Sequence, residues 1–191
     1  MIRTRMAGLG VAVDPLLESG KLTVEVIDPS ELSPGHFTAR CRHRVQEGTK
    51  LLVIDSLNGL LAAMPSEEHL LMQLRELLSF LNNQGVTTLI VMAQYGILGQ
   101  GMASPIDLSH LADTVLLLRY FEAAGEVCRA MSVVKKRSGR HERTIRELRF
   151  SSRGIHVGRP LHEFQGILTG VPTYVGAAGP LLAGTGDAEQ R

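Results

Sequence analysis

The chain has 191 residues, 44% of them hydrophobic, and a formal net charge of +1 at pH 7. This length predicts one domain-sized core, since domains contain roughly 100 to 200 residues, and it disfavours two domains. A charge so close to zero gives no global reason to expect nucleic acid or an anionic membrane as a partner.

The cysteine count and the apolar segments exclude two further classes of protein. Cys41 and Cys128 are too few and too far apart for a disulfide framework, and no apolar segment approaches the roughly 20 residues that span a bilayer. The first five residues lack the apolar stretch of a signal peptide. We therefore expect a reduced, cytoplasmic protein with no membrane partner.

The first half of the chain alternates between strand and helix patterns, which favours parallel βα units. Residues 21–27 are predicted to form a strand. Ser33 and Pro34 then provide a hydroxyl cap and a proline at the first helical position, so a basic helix is predicted from there to about Glu47. Gly48 ends this helix.

The next segment carries the strongest functional signal. The apolar run 51–54, which ends in Asp55, predicts a buried central strand of a parallel sheet with an acid at the edge where such folds bind ligands. This is typical of the second half of a magnesium-nucleotide site. The first half would be a glycine loop ending in Gly-Lys-Ser/Thr, and the sequence does not contain it. The only Gly-Lys pair, Gly20-Lys21, has Pro15 and Leu22 at the positions that need glycine and a hydroxyl.

A second helix and strand follow. Ser66, with Glu67 and Glu68 behind it, predicts a helix start, and Gly85 predicts its end. Five leucines spaced three and four residues apart form one apolar stripe, which we assign to the core. These are Leu70, Leu74, Leu77, Leu78 and Leu81. Residues 86–93 then predict a buried strand that ends at Gln94.

The second half of the chain has the patterns of antiparallel strands. Residues 114–122 and 127–137 are predicted to pair as a hairpin around a turn at 123–126. Residues 144–150 and 155–157 alternate in the same way around a turn at 151–154. From about Val171 the sequence is small residues, glycine and proline without a period, so residues 171–191 are predicted to form a disordered tail.

Several phrases that occur in order along the chain carry a resemblance to a known family. They are Asp55-Ser56-Leu57-Asn58-Gly59, Leu111-Ala112-Asp113-Thr114-Val115, Arg119-Tyr120-Phe121-Glu122, Gly125-Glu126-Val127 and the run from Val133 to Glu142. Over about residues 1–174 the chain resembles the KaiC-like branch of the RecA-type P-loop ATPases. The resemblance implies an α/β fold with a RecA-like three-layer core, a mostly parallel sheet and antiparallel C-terminal hairpin strands. The family's phosphate loop and paired catalytic glutamates have no counterpart, so residues 1–170 are predicted to be a partial domain, truncated at the N-terminus.

The resemblance implies roles for three residues of the first half. Asp55 would be the Walker B acid that holds Mg²⁺ through its water shell, with Ser56 beside it. Gln94 matches the polar sensor that reports the γ-phosphate to the oligomer interface. A strand-end aspartate that caps the next segment remains the structural alternative for Asp55, and a polar residue closing a strand remains the alternative for Gln94.

The resemblance also implies cations that act across a subunit interface. Lys135 and Arg137 match a pair that reaches the neighbour's triphosphate, and His141 matches an accessory contact to the nucleotide. Positive charge accelerates phosphoryl transfer by stabilising the charge that develops in the transition state. From Lys135 to Arg149 there are seven basic residues against two acidic ones. A solvated hairpin face is the alternative interpretation for most of them.

Three functions remain open on these grounds. The first is the C-terminal part of an ATP-binding, ATP-hydrolysing ring ATPase with a signalling or regulatory role, which alone would be inactive. The second is a non-catalytic truncated paralogue that docks on full-length KaiC-like subunits, and the third is binding of single-stranded nucleic acid through residues 135–149. ATP and Mg²⁺ are the implied cofactors, and a homo-oligomer or full-length subunits are the implied partners. Only Ser109 matches the phosphorylated Ser-Thr pair of the family's circadian member, so a timekeeping phosphorylation cycle is not predicted.

Overall fold

The computed structural model describes residues 2–28, 33–63, 67–94 and 109–176. In chain order, the elements are α1 (Ile2–Gly8), α2 (Asp14–Glu18), α3 (Pro34–Gln46), β1 (Leu51–Asp55), α4 (Leu57–Ala63), α5 (Glu67–Asn83), β2 (Thr87–Val91), β3 (Thr114–Ala123), β4 (Glu126–Lys136), β5 (Arg146–Ser151), β6 (Gly154–Pro160), β7 (Phe164–Gln165) and β8 (Thr173–Tyr174). The α/β class predicted from the sequence is confirmed, with one parallel strand pair and antiparallel sheets.

The chain forms two compact units, each with its own cluster of buried side chains. We call the described residues of Gly20–Tyr95 and Ala103–Leu111 the βα unit, and those of Met1–Ser19 and Ala112–Arg191 the hairpin unit. The chain length had predicted one core. In the part of the chain that the structure describes, no helix is long and apolar enough to cross a lipid bilayer.

Helix α3 of the βα unit begins as the sequence predicted. The Ser33 hydroxyl accepts a hydrogen bond from the His36 backbone N–H at 3.3 Å, and Pro34 occupies the first turn. At the other end, Glu47 is the C-cap residue and Gly48 takes a φ of 100°, which favours glycine. Local signals were sufficient here because both ends of the helix are specified by neighbouring residues.

Residues 21–27 do not form the predicted strand. A strand needs a ladder partner, and among the described residues β1 pairs only with β2. The segment is instead tied to α3 through side chains. The Glu25 carboxylate accepts hydrogen bonds from Arg40 and Arg44, and Ile27 packs against the buried cluster of the βα unit.

Strand β1 is less buried than the sequence predicted. It pairs in parallel with β2, and Ile54 faces the core, but Leu51 and Val53 on the opposite face are 55% and 52% exposed. The apolar run makes both faces of β1 suitable for burial. In this two-stranded sheet, however, only the face that carries Ile54 packs against the core.

Helix α5 contributes three buried leucines to the core on that covered face. Leu74, Leu77 and Leu81 are at most 2% exposed, and Leu78 packs against the same cluster. The predicted leucine stripe is confirmed for these four residues, whereas Ser66 and the side chain of Leu70 lie outside what the structure describes. Helix α4, which the sequence did not predict, adds the buried side chains of Leu57 and Leu60 to the cluster.

The hairpin unit is a four-stranded antiparallel sheet in the order β3-β4-β5-β6. Ala123 pairs with Glu126 across a two-residue turn, Ala124-Gly125, whose φ values are 52° and 78°. Both hairpins predicted from the sequence are present. One face of the sheet packs under the segment that carries Leu161 and Ile167.

Strand β8 lies in the C-terminal segment for which the sequence predicted disorder. Thr173–Tyr174 pair with Phe164–Gln165, and the Tyr174 ring lies edge-to-face on Phe164 at 5.4 Å between centroids. The disorder predicted from Val171 therefore does not hold for residues 171–176. Residues 177–191 lie outside the described part of the chain.

Candidate functional site

The carboxyl ends of β1 and β2 bring together the predicted residues of the βα unit. In the parallel register Asp55 lies beside Val91, and Gln94 follows three residues beyond that point. Asp55 is exposed, whereas Ser56 and Gln94 are half-buried. These three residues therefore lie at the sheet edge where α/β folds bind ligands.

Asn58, in the first turn of α4, joins the two strand ends directly. Its Nδ2 donates to the Ala93 carbonyl oxygen at 2.9 Å, and its Oδ1 accepts from the Ala93 backbone N–H at 2.8 Å. One side-chain amide thus satisfies both backbone polar groups of Ala93, the residue next to Gln94. No role was predicted for Asn58, although the residue stands in one of the phrases that carry the resemblance.

The oxygen atoms at this edge fit part of a magnesium site. Carboxylate and hydroxyl oxygens are ligands that Mg²⁺ accepts, and the ion keeps several waters and needs few direct protein ligands. Among the described residues no three His, Cys, Asp or Glu side chains group closely enough to hold a metal alone. Asp55 with Ser56 therefore fits an ion that is also held by water and phosphate oxygens.

Gly20 does not belong to a phosphate loop. It follows Ser19, the C-cap of α2, and has a φ of 70°. A glycine with left-handed backbone at this place ends a helix. This agrees with the sequence, in which the residues around Gly20-Lys21 do not match a phosphate loop.

Lys135 and Arg137 lie at the end of β4 in the hairpin unit. Lys135 is paired in register with Val115, and the Arg137 backbone N–H donates to the Asp113 carbonyl oxygen at 2.7 Å, one step beyond the end of the strand. The two cations are two positions apart, and the irregularity between β3 and β4 lies at Val115 and Leu116. Residues two apart on a regular strand lie on the same face of the sheet. Lys135 is half-buried and Arg137 is exposed.

Asp113 also contacts the Arg137 side chain. Its Oδ1 lies 2.9 Å from Arg137 Nη1, with the two side chains 70% and 57% exposed respectively. Backbone and side chain of these two residues are therefore both joined. Asp113 stands in one of the phrases that carry the resemblance, but no function was predicted for it.

His141 lies half-buried in the connection between β4 and β5, where several of the basic residues have acidic partners. Arg149 Nε donates to Glu147 Oε1 at 2.7 Å, and Arg146 Nη2 lies 3.4 Å from Glu142 Oε2. A hydrogen bond from the Thr144 hydroxyl is the main cause that lowers the pKa of Glu142, which favours its charged form. These pairs neutralise part of the basic segment and count against the nucleic-acid alternative.

Comparison with known families gives one match across most of the chain. Residues 1–162 match the family model described as "ATPase: KaiC". The match covers both the Asp55 strand and the Arg137 hairpin.

Individual relatives support the same assignment. The circadian clock protein KaiC3 of Synechocystis sp. is 29% identical over 170 residues, which are 87% of this chain and 33% of that protein. The circadian clock oscillator protein KaiC of Acaryochloris marina is 38% identical over 78 residues, 41% of this chain and 15% of that protein. The corresponding protein of Synechococcus elongatus is 29% identical over 96 residues, or 50% and 18%. The chain spans about a third or less of the length of these relatives.

Proposed function

The chain belongs to the KaiC family of ATPases, and from this we propose that it contributes two sets of groups to magnesium-ATP sites in an oligomer. The first set is Asp55, Ser56 and Gln94 at the edge of the βα unit. The second set is Lys135 and Arg137, with His141, in the hairpin unit. The family membership and the relatives support an oligomeric ATPase in general terms, and the division of roles is our proposal.

The first set would act on the metal and the γ-phosphate. Mg²⁺ supplies neutralisation of phosphate charge when it is bound. The Asp55 carboxylate would hold waters of the ion, and the Ser56 hydroxyl would support them. The Gln94 amide would sense the γ-phosphate from the neighbouring strand. The observation that supports this set is the Asn58 amide, which fixes the peptide next to Gln94 to the start of α4.

The second set would act on a nucleotide bound by another subunit. A guanidinium placed where negative charge develops accelerates phosphoryl transfer, by as much as about 10³-fold or more when an arginine acts in trans. The single observation that carries this proposal is the place of Arg137. It lies just past the end of β4, exposed and anchored by its own backbone. We propose that a phosphate bound by the partner meets it there.

The partner would be a second copy of the chain or a full-length KaiC-family subunit. The 191 residues of the chain contain no Gly-Lys-Ser/Thr loop, so alone they lack the cradle that holds phosphates. We therefore propose that the chain by itself does not turn over ATP. A non-catalytic role, in which it docks on complete subunits and donates Lys135 and Arg137, is the second form of the same proposal.

The trans role is tested by adding the chain to a full-length KaiC-family ATPase and measuring phosphate release. We expect stimulation that Arg137→Ala reduces at least about ten-fold, since the guanidinium stabilises the transition state. Arg159→Ala is the matched control, because Arg159 is an exposed arginine of the same unit, paired with Glu163 at 3.5 Å. Equal stimulation by the Arg137→Ala and Arg159→Ala variants would contradict the proposal.

The metal role is tested by calorimetry of the chain with Mg²⁺ and a non-hydrolysable ATP analogue. If the first set binds metal and nucleotide without a phosphate loop, heat of binding is observed and Asp55→Ala abolishes it. Asp14→Ala is the control, because Asp14 is an exposed aspartate paired with Arg3 at 3.1 Å. Absence of binding to the unaltered chain would contradict binding of metal and nucleotide by the first set alone. The trans role of Lys135 and Arg137 would then stand by itself.

A further inference from the structure

Two separate contacts join Asp113 and Arg137. The Arg137 backbone N–H donates to the Asp113 carbonyl at 2.7 Å and continues the ladder between β3 and β4 by one step. The side chains then form an ion pair, with Nη1 2.9 Å from Oδ1. The first contact fixes where the arginine leaves the strand, and the second fixes where its guanidinium lies.

Stability alone does not explain the side-chain contact. Both side chains are more than half exposed, and ion pairs between exposed residues contribute little to folding because water screens them. An arginine side chain, however, has many rotamers, and a guanidinium is preorganised only when something holds it. The carboxylate lies at the residue directly before β3, so its own backbone is set by the sheet.

We infer that Asp113 is the positioning residue of Arg137, holding the guanidinium at the end of β4 in the place where a partner's phosphate meets it. The inference rests on the proposed function, because it presupposes that Arg137 acts in trans. A guanidinium carries five N–H donors, so a contact through Nη1 does not by itself prevent another nitrogen from contacting a phosphate oxygen. Asp113 thus acts through Arg137 and touches no substrate.

The alternative role for the same contact is competition. In this role the Asp113 carboxylate occupies the place of the phosphate on the guanidinium. It must then leave before Arg137 can act. The two roles predict opposite signs for Asp113→Asn, which removes the charge and keeps the backbone bond. Positioning predicts weaker stimulation of the partner, and competition predicts stronger stimulation.

The first test measures the guanidinium itself in the unaltered chain and in Asp113→Asn, by ¹⁵N relaxation of the Arg137 Nε–H group. We expect this group to become more mobile in the variant, while Arg159 does not change. Glu163→Gln is the matched control, since it removes the carboxylate partner of Arg159 and should leave Arg137 unchanged. Equal mobility of Arg137 with and without the Asp113 charge would overturn the inference.

The second test is a double-mutant cycle on the stimulation of a full-length KaiC-family ATPase. Asp113→Asn should lower the kcat of stimulated hydrolysis by about ten-fold, because a misplacement near 1 Å can cost on the order of 100-fold. In the Arg137→Ala background it should have no further effect. Asp113→Glu, which restores the charge, should recover part of the loss.

The outcomes separate the inference from the proposed function. If Arg137→Ala abolishes stimulation but Asp113→Asn does not lower it, the inference is wrong and the proposed function stands. If the losses multiply in the double variant, Asp113 does not act through Arg137 and the inference is again wrong. If the chain does not stimulate, or Arg137→Ala changes nothing, the proposed function fails and the inference fails with it.

Discussion

Glu25 shows how single residues stabilise the βα unit where no strand forms. Arg44 donates to its carboxylate through Nε at 2.7 Å and through Nη2, and Arg40 Nη2 lies 2.8 Å from the other oxygen. The hydrogen bond from Arg44 is the main cause that lowers the pKa of Glu25, and burial opposes it. The charged carboxylate is therefore the form that the folded chain favours.

This lowered pKa predicts a dependence of stability on pH. Because the folded-state pKa of Glu25 lies below the unfolded value, its contribution is present above the unfolded pKa and is lost as pH falls through the folded pKa. We expect Glu25→Gln to reduce the free energy of unfolding by about 1 kcal/mol at pH 7. The difference from the unaltered chain should shrink as the pH is lowered through the acid range.

Urea unfolding at pH 7 and at acid pH measures this difference. Glu76→Gln is the matched control, since Glu76 pairs with Arg42 at 2.7 Å but its side chain is 69% exposed. Its effect should be smaller at both pH values because water screens the pair. A Glu25→Gln variant whose deficit is the same at both pH values would contradict the assignment.

Asn58 gives a second prediction for a single side chain. Replacement by alanine leaves the Ala93 N–H and carbonyl without their partner, which should cost about 1 to 2 kcal/mol in unfolding free energy. Asn58→Asp should be worse, because its carboxylate still accepts from the N–H but sets a negatively charged oxygen against the Ala93 carbonyl oxygen, to which the amide donates. Denaturant midpoints of the two variants test this order. An aspartate variant as stable as the unaltered chain would show that the donated bond contributes nothing.

At the scale of elements, Gly10 connects α1 and α2 at a point of close approach. A Cβ at this position would lie 2.2 Å from the Ser152 carbonyl oxygen, in the turn between β5 and β6. The φ of Gly10 is also positive, at 70°, which side chains rarely adopt. Both constraints act on the same residue, and neither can be relieved by moving a flexible side chain.

We therefore expect Gly10→Ala to destabilise the hairpin unit by about 1 to 3 kcal/mol. Gly8→Ala is the matched control, because nothing lies within 4 Å of a Cβ there and the residue ends α1. Alanine favours the helix at that position and should be neutral or slightly stabilising. Thermal unfolding of the two variants provides the measurement, and equal melting temperatures would contradict the close approach.

The elements that could be predicted are those whose signals are local. The caps of α3, the described leucines of α5 and the two hairpins depend on residues a few positions apart, and all of these formed. The segment 21–27 could not be predicted in the same way, because a strand exists only if a partner lies beside it. The short helices α1, α2 and α4 carried too few periodic positions to be recognised.

The same distinction applies to the candidate site. A strand that ends in an acid is visible in the sequence, so Asp55 and Gln94 were predicted at one edge. The parallel register sets Asp55 beside Val91, three residues before Gln94. The contacts of Asn58 and Asp113 could not be predicted, because their partners, Ala93 and Arg137, lie far along the chain. Only the paired strands bring such residues together.

On the scale of the whole molecule, exposed apolar side chains on the sheets favour association between copies of the chain. In the hairpin unit the Arg129 guanidinium lies over the rings of Tyr120 and Phe150, so these residues share one face of the sheet. Leu118 and Val157 on that face are 57% and 54% exposed. Exposed apolar side chains on one face of a sheet favour contact with another protein surface.

We predict that the chain associates at micromolar concentrations, with a mass by light scattering above the 20.8 kDa of one copy. Leu118→Lys combined with Val157→Lys should shift it towards one copy, because each charge would be desolvated in a contact. Val26→Lys is the control, since Val26 is 97% exposed in the βα unit and lies outside this face. A single copy at all concentrations would show that the exposed face is stable in water, and an oligomer unchanged by both lysines would place the contact on another surface.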